Sequence, residues 1–368
     1  MSVEPINYDT LAGQVAARIT REIGRGTWIS VLPSERALTE TLQVSRKTVR
    51  KSIAQLQRDG VIKTHSRLGH RIVLRTPAAD KHDHSVGLLA PESLEKLPSY
   101  TALWFDELRA LLFESGIRLV AFSSCRFFSR GMNESLARLI KQSPQTCWVL
   151  THSNEDVQRW FFNHKVRCIV AGSSQAEVGL PNVDLDYFAI CRHAVGTLLR
   201  NGHRRFAFLT QLSQRGGDLD SEAGFQDAVK RSSRTDLESN VARHDGTTNG
   251  VWRVLGRLFD SRSPPTALLV AKPAFYLTTV SFLADRGLRV GKDVSLICRD
   301  HDTFLSYLKP TPASYPSSPK TYAKRLLPLV LAHVRNQKIT QTDVRIEPEF
   351  ISGASLGAPA TADTPMTK

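Results

Sequence analysis

Arg46, Lys47, Thr48 and Arg50 fall within five residues, a set of side chains suited to duplex DNA. A guanidinium bonds guanine bidentately in the major groove, an ammonium neutralises phosphate, and a free hydroxyl reaches either. Such a set works at the N-terminal end of a helix, where backbone amides also meet phosphate. The flanking residues predict that helix. Val49, Ile53 and Leu56 mark one apolar face from Arg46 to Arg58, Ser45 can cap the start, and Asp59-Gly60 ends it. Upstream, Pro33-Ser-Glu-Arg36 opens a shorter helix with Leu38 and Leu42 as its apolar face. Leu11, Val15, Ile19 and Ile23 recur every four residues on a first helix that runs out at Gly24 and Gly26. Three short helices with a tight turn at Val44-Ser45 form a helix-turn-helix. Two β-prone runs, Val61–Thr64 and Arg71–Leu74, flank Arg67-Leu-Gly69-His70 and predict a two-stranded wing with a basic tip.

Signals for other chemistry are weaker. Gly353-Ala-Ser355-Leu-Gly357 matches the nucleophile-elbow pattern, but that elbow needs a later His and none follows. Arg299-Asp300-His301-Asp302 has acid–base groups and reads more simply as a loop at a strand end. His82 and His84 have no further ligands near them in sequence and read as solvated linker. Neither GxGxxG nor GxxxxGK[ST] occurs. No catalytic residue, metal site or cofactor is therefore expected.

The composition agrees with a chain that folds and meets a polyanion. Its 368 residues are 41% hydrophobic, with 49 Lys+Arg against 35 Asp+Glu, a formal net charge of +14. Between Met1 and Thr76 stand 13 basic and six acidic residues, so half of the excess lies on the segment with the helix-turn-helix pattern. Five cysteines without a CxxC pair argue against a disulfide framework and fit a reducing cytoplasm. The start, Met-Ser-Val-Glu-Pro, lacks a secretory pattern, and no apolar run approaches a membrane span, so neither secretion nor membrane insertion is expected.

After a polar stretch from Pro77 to His84, short apolar runs alternate with helix-length segments. Strands are predicted at Ser85–Ala90, Ile117–Phe122, Thr146–Leu150, Val166–Ala171, Arg205–Thr210, Thr266–Ala271 and Asp293–Cys298. Helices are predicted at, among others, Ala102–Glu114, Ile190–Arg200, Glu222–Arg231 and Ala274–Arg286. Regular βα alternation implies parallel sheets covered by helices, and the length favours two α/β lobes facing a cleft.

Two resemblances sharpen these readings. Leu32-Pro-Ser-Glu-Arg-Ala-Leu-Thr-Glu40, Val44-Ser-Arg-Lys-Thr-Val-Arg50 and Leu56-Gln-Arg-Asp-Gly-Val-Ile62 resemble the GntR-type winged-helix DNA-binding domain. The resemblance implies DNA contacts from Arg36, Arg46 and Arg50, with Thr48 between them. Of the family's wing pattern, Gly-x-Gly-Thr, only Gly69 survives in Arg67-Leu68-Gly69-His70. Asn201-Gly-His-Arg-Arg-Phe-Ala-Phe-Leu209, Leu283-Ala-Asp-Arg-Gly-Leu-Arg-Val-Gly-Lys-Asp-Val-Ser-Leu-Ile297 and Leu308-Lys-Pro-Thr-Pro-Ala-Ser-Tyr315 resemble the LacI-type effector domain, implying a hinged sensor that dimerises. Where that family has an effector-binding Arg this chain has Ser221, and where it reads Ala-Asn-Asp this chain reads Ala271-Lys272-Pro273. Asp300 persists. Lys272 and Arg299 favour an anionic effector, and Tyr100 and Trp104 can stack on a sugar's apolar face; all four also fit surface or packing roles.

The expectation is a multidomain chain. A winged helix-turn-helix, mostly α with a small β wing, occupies 1–76, with Arg67 and His70 contributing to DNA contact. A linker spans 77–84. A two-lobed α/β domain of periplasmic-binding-protein-like fold, for effector binding and dimerisation, spans 85–352, and a flexible tail spans 353–368. The expected function is a cytoplasmic homodimeric repressor on a double-stranded DNA operator, controlled by a sugar or sugar-derived ligand, acidic ones included. The alternative is a constitutive regulator whose second domain no longer binds a ligand.

Overall fold

A computed structural model of the chain describes residues 11–24, 28, 31–59, 61–65, 69–72 and 84–359. They divide into two compact units. One takes in the N-terminal segment up to Ser85 together with Phe105–Leu119, and the other takes in Val86–Trp104 and the chain from Val120 onward.

In the first unit, α1 (Leu11–Gly24), α2 (Glu35–Leu42) and α3 (Arg46–Arg58) precede β1 (Ile62–His65) and β2 (Gly69–Ile72). The predicted apolar stripes converge on one core of Val15, Ile19, Leu38, Val49, Ile53, Leu56, Ile62 and Ile72. Ser52, fully buried on α3, donates to the carbonyl of Ala12 at 2.8 Å and so ties α3 to α1. Gln43 takes the left-handed conformation that ends α2, which makes the turn into α3 tight. The wing differs from expectation. β1 and β2 pair antiparallel with Ile62 opposite Ile72, so the second strand starts two residues earlier than predicted, and Gly69 and His70 are strand residues rather than tip. The reason is burial: both isoleucines point into the core, and their pairing sets the register. Arg67 lies outside the described residues.

The chain continues with β3 (Ser85–Ala90), α4 (Ser99–Glu114), β4 (Arg118–Ser123), α5 (Met132–Gln142), β5 (Cys147–Thr151), α6 (Glu155–Asn163), β6 (Cys168–Ala171) and β7 (Asn182–Leu185). Then come α7 (Tyr187–Arg200), β8 (Arg205–Gln211), α8 (Gly216–Arg231), β9 (Glu238–His244), α9 (Thr248–Phe259), β10 (Ala267–Val270), α10 (Pro273–Asp285), β11 (Ser295–Cys298), β12 (Ala313–Ser314), α11 (Pro319–Val334) and β13 (Asp343–Ile346). Two sheets result, ordered β13-β7-β6-β5-β3-β4 and β12-β11-β10-β8-β9. The chain passes between these two lobes after β7, after β12 and after β13, the connectivity of a hinged pair.

The strands that sequence did not reveal are β7, β9, β12 and β13. β7 buries Asn182 and Asp184, β9 and β13 are polar edge strands, and β12 has two residues, so none presents an apolar run. Helices α7 and α8 approach so closely that a Cβ on Gly224 would stand 2.2 Å from the carbonyl oxygen of Phe188. The segment expected as a tail from 353 instead packs into the second lobe as far as residue 359. Ser355 is fully buried, donates to the Leu296 carbonyl at 2.7 Å and accepts from the Ala313 amide at 2.8 Å. Its hydroxyl thus closes backbone groups and is in no position to be a nucleophile.

Candidate functional site

The exposed N-terminal end of α3 gathers the predicted cations. Ser45 caps the helix through the Thr48 amide at 3.2 Å, and its hydroxyl lies 2.8 Å from that of Thr48. Arg46 and Arg50 are 67% and 64% exposed, yet both reach the carboxylate of Glu35, at 3.7 and 2.9 Å. Glu35 begins α2, where a negative charge also favours the helix end. The fold also makes it the post that orients both guanidinium groups. Arg36, on the same helix, pairs with Glu40 at 3.2 Å and is almost wholly solvated, and Lys47 is exposed. The backbone of His70 accepts from the Leu32 amide at 2.9 Å, which fixes the wing against the start of α2.

The second site is a cavity of about 660 Å³ at the carboxyl ends of strands from both lobes. Open α/β sheets leave ligand space at such strand ends. β5 delivers His152, β6 Ser173, β10 Lys272, and β11 Arg299 and Asp300. One wall is aromatic: Trp104 stands 5.3 Å from Tyr322 between ring centres, and Tyr100 meets the same ring edge-on at 5.9 Å. The hydroxyls are occupied, Tyr322 donating to the Val183 carbonyl and Tyr100 bonding to Ser317.

Arg299 is 3% exposed. It donates to both carboxylate oxygens of Asp300 at 2.9 and 3.1 Å, to Ser221 at 2.8 Å and to Asp218 at 3.3 Å, with its guanidinium 4.3 Å over the Tyr187 ring. This changes two sequence expectations. Arg299 is not an open cation awaiting an anion, because two carboxylates of its own chain already compensate it. Ser221 does not line the cavity; it is buried beneath the guanidinium and accepts from it, because its side chain is too short to reach the cleft. Position 221, where the LacI resemblance implies a guanidinium, instead carries a hydroxyl bonded to the guanidinium of Arg299. Tyr100, Trp104, Lys272, Arg299 and Asp300 do line the cavity, joined by Asp184, Arg215 and Asp218, which no sequence pattern marked.

Burial shapes the charges. It would raise the Asp218 carboxyl, but Arg299 and Lys272 outweigh it and hold the group below its usual range. It pushes Asp184 up to about 7, against the hydrogen bonds from Ser173 and the Leu185 amide and the fields of Arg345 and Arg299. His152, left-handed at φ 51° after β5, is driven down to about 4 by burial and by Arg215 and Lys272, so its ring is neutral at pH 7. Across the mouth, Arg345 of β13 donates to Asp220 of α8 at 2.8 Å and to Ser173 at 3.0 Å, and Gln175 donates to the Gln214 carbonyl at 2.7 Å. The Arg345–Asp220 and Gln175–Gln214 bonds latch one lobe to the other. Among the described residues no group of three or more His, Cys, Asp or Glu could hold a metal ion, no helix is long and apolar enough to cross a membrane, and all five cysteines are free.

Comparison with known proteins places the two units. Residues 11–72 match the bacterial regulatory proteins of the gntR family, and residues 195–356 match the periplasmic binding protein-like domain. The HTH-type transcriptional regulator AglR of Rhizobium meliloti is 27% identical over 192 residues, 50% of this chain and 53% of that protein. The HTH-type transcriptional repressor CytR of Escherichia coli is 22% identical over 190 residues, 52% of this chain and 56% of that protein. The chain therefore spans about half the length of the curated relatives it matches. Among solved structures, the transcriptional regulator CelR in complex with cellobiose has a TM-score of 0.66 at 18% identity, covering 95% of this chain and 100% of that one.

Proposed function

We propose that this chain, in which a gntR-type DNA-binding domain is joined to a periplasmic binding protein-like domain, is a sequence-specific transcriptional regulator rather than an enzyme. Arg46 and Arg50 read bases from the end of α3, held there by Ser45 and Thr48, while Arg36, Lys47 and Arg67 neutralise phosphate and Gly69 and His70 carry the wing. The protein acts in the cytoplasm as a homodimer on a pseudo-palindromic operator, and as a repressor, a sign supported by the likeness to CytR. A small carbohydrate-like effector enters the cleft, and lobe closure on it selects between two states of different operator affinity. The likeness to CelR in its cellobiose complex supports that class of ligand.

The observation that carries this reading is the cavity of about 660 Å³ at the strand ends, where aromatic faces and hydrogen-bonded charges surround a space of sugar size. Operators selected from genomic fragments with the full chain, then titrated by fluorescence anisotropy with and without a sugar panel, test it. A tenfold change in operator affinity with one ligand is the expected result. Arg46→Ala should cost about 1–3 kcal/mol at one base pair, and unchanged binding would remove the DNA assignment. A second reading, a constitutive regulator whose cleft domain serves dimerisation or partner contact, is favoured by the internal compensation of Arg299 by Asp218 and Asp300. Operator affinity indifferent to every ligand, with no thermal shift, would select it.

A further inference from the structure

Resting on the effector reading above, we propose that the cleft takes a polyhydroxylated anion, with Arg215 and Lys272 holding its carboxylate or phosphate and the Asp218–Arg299–Asp300 cluster taking its hydroxyls. The floor on the second lobe presents three cations against two carboxylates: Arg215, Lys272 and Arg299 face Asp218 and Asp300. Both carboxylates form their ion pairs with Arg299, and Asp218 acts on Lys272 only through its field. Among the described residues neither Arg215 nor Lys272 has a carboxylate at ion-pair distance; Lys272 is bonded only to the neutral amide oxygen of Gln211 at 3.0 Å and lies over the Phe275 ring. Both cations are half-buried in a recess, where an uncompensated charge is costly. The surrounding groups do not supply the missing charge. His152, between them electrostatically, is neutral; Asp184 lies on the other lobe and is held near half-protonation at pH 7; Asp302, at the rim, is bonded to Ser99.

Placement supports the division of labour. Arg215 and Lys272 immediately precede α8 and α10, so both cations sit on the same lobe at neighbouring strand ends, of β8 and β10, which pair directly. An anion there would give two cations that lack an ion-pair partner a shared one, with Arg215 able to grip two of its oxygens. Asp300 and Asp218, already oriented by Arg299, keep lone pairs for hydroxyl donors, and the Tyr100–Trp104–Tyr322 wall provides a face for the carbon skeleton.

Titration calorimetry on the full-length protein tests this. The probes are gluconate, glucuronate, galacturonate and glucose 6-phosphate against glucose and galactose, the first three separating a carboxylate source from a phosphate. The expected result is at least tenfold tighter binding of one anion than of its neutral parent, weakening as salt is added. Arg215→Gln should collapse the ratio of anion to neutral-parent affinity toward one, and Arg215→Lys should restore part of it. Arg215 is partly solvated, so these variants should fold as the parent does. Equal or tighter binding of the neutral sugar, or a preference that survives Arg215→Gln, overturns the anionic class while leaving the sensor reading intact. Silence across the panel together with unmoved operator affinity overturns both.

Discussion

Two carboxylates show how single residues set the chemistry. Asp184 titrates near 3.8 in an unfolded chain and near 7 once buried, so between those values the folded state holds a proton that the unfolded state has lost. Stability therefore falls as pH rises from about 4 to about 7, and the full penalty persists above that window. Asp184→Asn should flatten this part of the profile and raise stability above pH 7 by at most about 4 kcal/mol, read from melting temperatures across the range. A slope identical to that of the parent would assign the pH dependence elsewhere. Glu35 works by position. Its pairs with Arg46 and Arg50 are partly solvated, so Glu35→Gln should change stability by under about 1 kcal/mol. Freed guanidinium groups would still find phosphate but would lose their fixed direction. Affinity for scrambled duplex should rise and the ratio of operator to scrambled affinity should fall, measured by paired anisotropy titrations at one salt concentration.

At the scale of elements, α3 depends on its first turn. The Ser45 hydroxyl satisfies the Thr48 amide, one of the donors a helix start leaves open. Ser45→Ala should lower the stability of this small unit by about 1 kcal/mol, seen as a lower melting temperature, and should weaken operator binding because the same turn carries Arg46 and Lys47. An unchanged melting temperature would mean that water replaces the cap without cost. The wing illustrates the opposite dependence. Its β propensity was evident in the sequence, but propensity does not choose register; Ile62 opposite Ile72 does, by burying both. The polar edge strands β9 and β13 follow the same rule, being strands because a neighbour offers hydrogen bonds and not because their residues demand it.

At the scale of the whole molecule, the lobes of the second unit are joined by three chain crossings and a small polar latch. Arg345 on β13, Asp220 on α8 and Ser173 after β6 meet across the cleft mouth. Their ion pair is about two-thirds buried, enough to bias a two-state opening without locking it. Arg345→Gln should favour the open arrangement, with a larger radius of gyration in solution scattering and several-fold weaker binding of any effector that requires closure. Scattering curves that superpose on those of the parent would show that the latch follows closure and does not drive it.

The sequence by itself determined the order of the elements, the helix-turn-helix with its cations at the start of α3, and the βα alternation of two lobes. These rest on local periodicity and capping, which need only neighbours a few residues apart. It offered Tyr100, Trp104, Lys272, Arg299 and Asp300 for a cleft while leaving the first four equally open to surface or packing roles, and the fold brings all five to one cavity, three at strand ends and two from α4. Their roles were decided by tertiary structure. Arg299 is compensated because Asp218, 81 residues away, is folded against it, and Arg215 and Lys272 remain without an ion-pair partner because the described chain brings no carboxylate within bonding distance of them. Charge on a side chain is a property of sequence, but whether that charge is spent or available depends on what long-range folding sets within a few ångströms of it.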